Sequence, residues 1–162
     1  MESKERVLVF LAEFDFQVEQ IRRVYTTLKA KIPLVAKQPV AQEAVESAGY
    51  WLHNLYSACE DLFKLVAGFW ENSLSLDGEF HVQLLKRMMV DIKDVRPALL
   101  SEDAFRILNE LRAFRHVFRH AYSYGLEKER ISALLNKVIG QEGTVINDMQ
   151  VFRKTVAGFV DE

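Results

Sequence analysis

Apolar residues recur at intervals of three and four along almost the whole chain, the spacing that places them on one face of an α-helix. Only seven glycines and three prolines interrupt the 162 residues, which leaves few positions for the turns of a sheet. The pattern predicts an all-α, antiparallel helical bundle of about five helices, with residues 1–162 forming a single domain. The stripe of the first helix, over about residues 2–31, consists of Val7, Leu11, Phe14, Val18, Ile21, Val24 and Leu28.

Two prolines predict where the first helix ends. Pro33 and Pro39 each disfavour helical backbone in the residue before them, so "KIPLVAKQPV" is expected to interrupt the helix. A second helix is predicted over about residues 41–70, and its apolar centre is typical of a central bundle helix. "FHVQLLKRMMVDI" predicts a shorter third helix.

Capping residues delimit the second half of the chain. Ser101 is a suitable N-cap for a fourth helix that we expect to continue to about Tyr124. Gly125 then stands where a left-handed residue often ends a helix. A fifth helix is predicted over about 127–160, unless the glycines at positions 140 and 143 divide it.

Charge, cysteine content and hydropathy restrict the classes of function. The net charge is −2, so any site for a polyanion must be local. The single cysteine, Cys59, excludes an intramolecular disulfide and a zinc–thiolate cluster. No run reaches the roughly 18 apolar residues of a membrane span, and the first residues lack a signal-peptide layout. We therefore expect a cytoplasmic protein with no membrane partner.

The stretch "LRAFRHVFRHAY" concentrates cationic and titratable side chains without a single carboxylate. On a helix its apolar residues share one arc, and the polar residues spread over the opposite half of the circumference. Like charges three and four residues apart destabilise a helix by a few tenths of a kcal/mol per pair, and a bound phosphate would relieve that repulsion. The polar arc contains Arg112, Arg115, His116, Arg119, His120 and Tyr122.

A second interpretation of this arc needs no ligand. The arginines form a solvated basic face, or they pair with acids from another helix. Composition leaves the phosphate-binding and structural interpretations equally open. The acids available for such pairing are Glu60, Asp61 and Asp91.

The two histidines of the arc suggest chemistry rather than metal binding. His116 and His120 are four residues apart, so both imidazoles project to one side. A zinc site of the HExxH type would carry Glu beside the first histidine, where Val117 stands, and the nearby arginines oppose a dication. We expect no metal and no cofactor. Arginine with histidine suits RNA, whose 2′-hydroxyl attacks the adjacent phosphorus once a base removes its proton.

"RHVFRHAY" resembles the R-x-x-x-x-H motif of the HEPN ribonucleases, and its longer R-x-x-x-x-H-x-Y form resembles that of HepT-like toxins. "LHNLYSACEDLFKLVA", "FHVQLLKRM" and "VRPALLS" are similar to HepT-like segments in the same order. The resemblance implies a helical bundle that dimerises through its motif helix and cleaves RNA, transfer RNA included, without a metal. It also implies a partner, a minimal (MNT-type) nucleotidyltransferase antitoxin that silences the toxin by adding AMP to the motif tyrosine.

Carried onto this chain, the resemblance assigns catalysis to Arg115 and His120. Arg115 takes the position of the arginine that stabilises the scissile phosphate, and His120 that of the proton-transfer histidine. Tyr122 takes the position of the AMPylation acceptor, although a packing tyrosine is the simpler interpretation. Helix geometry alone adds Arg112, His116 and Arg119 as phosphate-binding support.

Three hypotheses follow from these residues. The first is a toxin ribonuclease, the second a non-catalytic HEPN-like module that binds a nucleotide or protein, and the third a structural helical dimer. His53 and His81 are interpreted as core or interhelix hydrogen-bonding residues, and a site role for His81 stays open.

Overall fold

The computed structural model describes residues 3–71, 80–121 and 125–161, and within these ranges the chain is an all-α helical bundle with no strand. These ranges contain six α-helices rather than about five, because a break at Gln141 divides the predicted fifth helix. None of the helices in these ranges has the length and apolarity needed to cross a membrane. The helices are α1 (Lys4–Val35), α2 (Gln42–Trp70), α3 (Phe80–Arg87), α4 (Glu102–Arg119), α5 (Lys128–Gly140) and α6 (Glu142–Asp161).

The predicted stripe of α1 is the face that enters the core. Six of its seven residues are buried, and Val24 packs against them from a partly buried position. α1 lies against α2, α5 and α6, while α2 also contacts α3 and α4. The helix with the broadest apolar surface therefore occupies the centre of the bundle, as its sequence predicted.

The predicted end of α1 is wrong. The helix continues through Pro33 to Val35, so only the last part of "KIPLVAKQPV" separates α1 from α2. Pro33 lies in the final turn, where the loss of one backbone donor disturbs little of the remaining helix. Val35 is buried, and its packing holds that turn in place.

α3 ends at Arg87, five residues before the predicted end, because a buried arginine takes the carbonyl groups that a longer helix would use. Arg96 donates from Nη1 to the oxygen of Val90 and from Nη2 to the oxygen of Arg87, each at 3.1 Å. The same Nη2 lies 2.7 Å from Oε1 of Glu71. Arg96 therefore ties the turn after α3 to the end of α2.

α4 begins as predicted and ends early. Ser101 caps it by accepting a 3.3 Å hydrogen bond from the backbone of Ala104, while Asp148 of α6 accepts from the Ser101 hydroxyl at 2.6 Å. The helix stops at Arg119, and Tyr124, its predicted end, lies outside the described residues. Gly125 has the expected left-handed backbone, with φ of 73°.

Candidate active site

Three helices meet at one buried carboxylate. Glu60 of α2 is 3% exposed, because it lies on the buried side of the central helix. Its Oε1 accepts a hydrogen bond from Nη1 of Arg115 on α4 at 3.2 Å, and its Oε2 lies 2.7 Å from Nδ1 of His81 on α3. Lys64, one turn further along α2, places its ammonium 3.6 Å from Oε1. A single acid is thus shared by three cationic or titratable groups.

The surroundings keep Glu60 ionised. Burial by itself raises the pKa of the Glu60 carboxyl, but the hydrogen bond and charge of His81 lower it, as do the charges of Arg115 and Lys64. The second set of effects is larger, so the pKa lies below its ordinary value. Near neutral pH the centre of the cluster is therefore a carboxylate that can only accept hydrogen bonds.

This carboxylate determines the tautomer of His81. An acceptor 2.7 Å from Nδ1 requires that Nδ1 carry the hydrogen, which leaves Nε2 without that hydrogen in the neutral ring. The contact of 3.4 Å between His81 Nδ1 and Arg115 Nη1 joins two donors, so both groups are held through Glu60 rather than by each other. His81 is thus an interhelix hydrogen-bonding residue, as expected.

Glu60 also supplies the acid that the stretch "LRAFRHVFRHAY" lacks. Arg115 pairs with an acid from another helix, which was the structural interpretation, and its side chain is only 17% exposed. The other two acids considered for this role, Asp61 and Asp91, are exposed on the surface. The arginine of the motif is therefore turned toward the core and held in one orientation.

The remaining arginines and His116 of the predicted face are placed differently. Arg112 is half-buried and donates from Nε to Oδ1 of Asn109 at 3.0 Å. Arg119 and His116 are exposed. Of the three residues predicted to support phosphate binding, Arg112 is therefore hydrogen-bonded to a neighbouring side chain, and His116 and Arg119 face solvent.

His120 is the C-cap of α4 and has a defined tautomer. Its Nδ1 lies 2.8 Å from the backbone oxygen of His116, which can only accept, so Nδ1 carries the hydrogen and Nε2 of the neutral ring has a free lone pair. The two imidazole centroids are 4.3 Å apart, which confirms that the pair projects to one side. Tyr122 lies outside the described residues.

Two further aromatic residues adjoin the cluster. His53 stacks on Phe118 with centroids 5.0 Å apart, and its pKa is lowered by burial and then by the charges of Arg115 and Arg119. Tyr56 is fully buried, and burial followed by the charge of Glu60 raises its pKa. Sequence reasoning did not place either residue at the site.

The apolar periodicity of α2 contained one sequence signal that Glu60 is buried. It stands four residues after Tyr56 and three before Phe63, both fully buried, so an acid occupies the apolar stripe of α2. Such an acid must be paired, since an isolated buried charge is strongly unfavourable. No comparable signal existed for His81. In the three described stretches no group of three or more His, Cys, Asp or Glu side chains is arranged to hold a metal ion.

The fold and site together define a class: an all-α bundle whose fourth helix pairs an arginine with a buried acid and ends at a histidine. Comparison with protein families is more specific. The model of the family described as HepT-like protein matches residues 47–156, more than half of the chain. The chain belongs to this HepT-like family of the HEPN superfamily. Neither a search of curated proteins nor a search of solved structures found a match.

Proposed function

We propose that this protein is the toxin of a HEPN/MNT toxin–antitoxin pair and that it acts as a metal-independent endoribonuclease, with transfer RNA as the first substrate to test. The observation that carries the proposal is the tautomer of His120, which leaves Nε2 without a hydrogen in the neutral ring at the end of the helix that also holds Arg115, in a chain of the HepT-like family. A positioned imidazole with a free lone pair is what abstraction of a 2′-hydroxyl proton requires.

In the proposed reaction, His120 Nε2 removes the proton from the ribose 2′-oxygen. That oxygen forms a bond to the adjacent phosphorus, and the bond from phosphorus to the 5′-oxygen breaks. Arg115 stabilises the charge that develops on the phosphoryl oxygens, because a guanidinium donates two hydrogen bonds in a fixed plane. The products are a 2′,3′-cyclic phosphate and a 5′-hydroxyl end.

Glu60 acts in this proposal as a positioning residue. Because it holds one Nη atom of Arg115, the guanidinium does not have to be ordered when the phosphate arrives. Arg119 and His116 are exposed on the same helix and add positive or polar groups for the flanking phosphates. Arg112 contributes less directly, since its Nε is occupied by Asn109.

Regulation and assembly form the second part of the proposal. A nucleotidyltransferase antitoxin adds AMP to Tyr122, and the new phosphate occupies and neutralises the cationic surface of α4. Two copies associate through α4, so that two motifs share one cleft. Both statements rest on the family resemblance. An intact mass raised by increments of one AMP tests the modification, and the mass of the particle in solution tests the dimer.

The test of the nuclease is cleavage of total cellular RNA in excess EDTA by protein that lacks AMP. We expect new fragments with 2′,3′-cyclic phosphate ends, and their loss in His120→Ala and Arg115→Ala. Arg106→Ala is the matched control, since Arg106 is an exposed arginine of the same helix that pairs with Glu102. Equal fragment patterns from the parent protein and His120→Ala would exclude the catalytic proposal.

One observation favours a second candidate, a non-catalytic module that binds a nucleotide or a partner. Arg115 is largely buried and already paired with Glu60, as in a residue whose role is structural. Such a module would bind RNA or nucleotide in a manner sensitive to Arg115→Ala and would cut neither. Filter binding and cleavage measured on the same samples separate the two candidates.

A further inference from the structure

The proposed reaction needs two proton transfers, and each copy of the motif supplies one histidine, His120, for them. The 2′-oxygen loses a proton, and the departing 5′-oxygen gains one. The attacking and leaving oxygens stand on opposite sides of the phosphorus. One imidazole therefore cannot serve both oxygens in a single step.

His81 of α3 has the properties of a second group that transfers a proton. Its Nδ1 donates to the Glu60 carboxylate at 2.7 Å, which fixes the ring and directs Nε2 away from the acid. The side chain is 38% exposed, so part of the ring faces solvent. Its Nδ1 is also 3.4 Å from Nη1 of Arg115, the group proposed to bind the phosphate.

The groups around His81 include one anion that can pair with its protonated ring. Among the described residues, the charged groups of this cluster are Glu60 and Lys64 of α2 and Arg115 of α4, and Phe80 lies edge-on to the ring with centroids 5.4 Å apart. When Nε2 carries a proton, Glu60 supplies the counter-charge through the hydrogen bond at Nδ1. The same acid–imidazole pairing fixes tautomer and orientation in hydrolytic triads.

We propose, on the basis of the nuclease function proposed above, that His81 is the general acid of the reaction. As the bond from phosphorus to the 5′-oxygen breaks, the proton on His81 Nε2 passes to that oxygen, while His120 holds the proton taken from the 2′-oxygen. Transfer of the proton from His120 and uptake of one by His81, both through water, restore the starting states. No other reactant is consumed.

The other candidates near the cluster fit less well. The hydroxyl of Tyr56 is buried, and its raised pKa makes it a poor proton donor. His53 is half-buried and stacked against Phe118. His116 lies directly against His120, on the side of the proposed base, whereas His81 comes from a different helix. In the proposed dimer, His120 of the second copy is the competing donor, and the cleavage rates of the His81 variants decide between the two.

The experiment compares two versions of one oligoribonucleotide that spans a cleavage site mapped in total RNA. One has the natural 5′-oxygen at the scissile bond, and the other has sulfur at that position. A thiolate leaves without protonation, so loss of a general acid slows cleavage of the oxygen substrate alone. We expect His81→Ala and His81→Gln to cut the oxygen substrate about 10²- to 10⁴-fold more slowly and the sulfur substrate at close to the parent rate.

The controls distinguish the possible failures. His81→Gln can still donate to Glu60 and has no transferable proton, so it decides the result if His81→Ala does not fold. Lys86→Ala changes an exposed residue of the same helix and should cut both substrates normally. Equal slowing on both substrates, or no slowing, overturns the role of His81 and leaves the nuclease standing. If His120→Ala matches the parent protein on total RNA, the nuclease itself fails, and the general acid with it.

Discussion

Nη1 of Arg115 donates a 3.2 Å hydrogen bond to Oε1 of Glu60, a carboxylate that stands 55 residues earlier in the chain. This bond joins the motif helix to the central helix of the bundle. It also places an acid beneath a stretch that contains none of its own.

Removal of Glu60 should destabilise the fold. Glu60→Ala leaves the largely buried guanidinium of Arg115 without its partner, and breaking such a pair is expected to lower the free energy of unfolding by about 3–5 kcal/mol. Urea denaturation measures the loss. The control is Asp61→Ala, the adjacent but exposed acid, which should stay within about 0.5 kcal/mol of the parent protein. If Glu60→Ala and Asp61→Ala changed the free energy of unfolding equally, the ion pair would add nothing to stability.

The Glu60 interaction should also depend on pH in a defined direction. Because the pKa of Glu60 is lowered in the folded protein, its contribution to stability is complete above the ordinary value of 4.5 and is lost as the pH falls through the folded value. The difference in unfolding free energy between the parent protein and Glu60→Gln should therefore be largest near neutral pH and shrink at about pH 3. A difference that is constant across this range would contradict the assignment.

His53 should titrate below the ordinary value of 6.5, because burial and the charges of Arg115 and Arg119 disfavour its charged form. The C–H resonances of its ring, followed by NMR over pH, measure this directly. Arg119→Ala removes an exposed charge and should raise the pKa toward 6.5, whereas Arg106→Ala should leave it unchanged. A His53 pKa above 6.5 in the parent protein would show that this environment is wrong.

Arg96→Met should be among the most destabilising single changes in the chain. It removes the donors to the oxygens of Arg87, Val90 and Pro97 and leaves Glu71 without its buried partner, an expected loss of about 3–5 kcal/mol. Thermal or urea unfolding measures this loss in the free energy of unfolding. Because these bonds end α3, hydrogen exchange should also rise in that helix before the rest of the bundle, and uniform exchange would argue against a local role.

The fold was predictable where its causes are local. The spacing of apolar residues in α1 and α2 and the cap at Ser101 identified the bundle, since helical periodicity and capping act over three or four residues. The ends of α1 and α3 were predicted incorrectly for non-local reasons. Burial of Val35 carries α1 past Pro33, and Arg96 binds the carbonyl oxygens of Arg87 and Val90 at the end of α3.

The candidate site divides in the same way. The sequence by itself determined that Arg115 and His120 stand five residues apart in one predicted helix, and the stretch that contains them resembles the HEPN motif. Only the tertiary structure decided that Glu60 and His81 meet at Arg115, from positions 55 and 34 residues away. Contacts over such separations depend on how helices pack against each other, and no pattern within one helix specifies which side chain of another will lie against it.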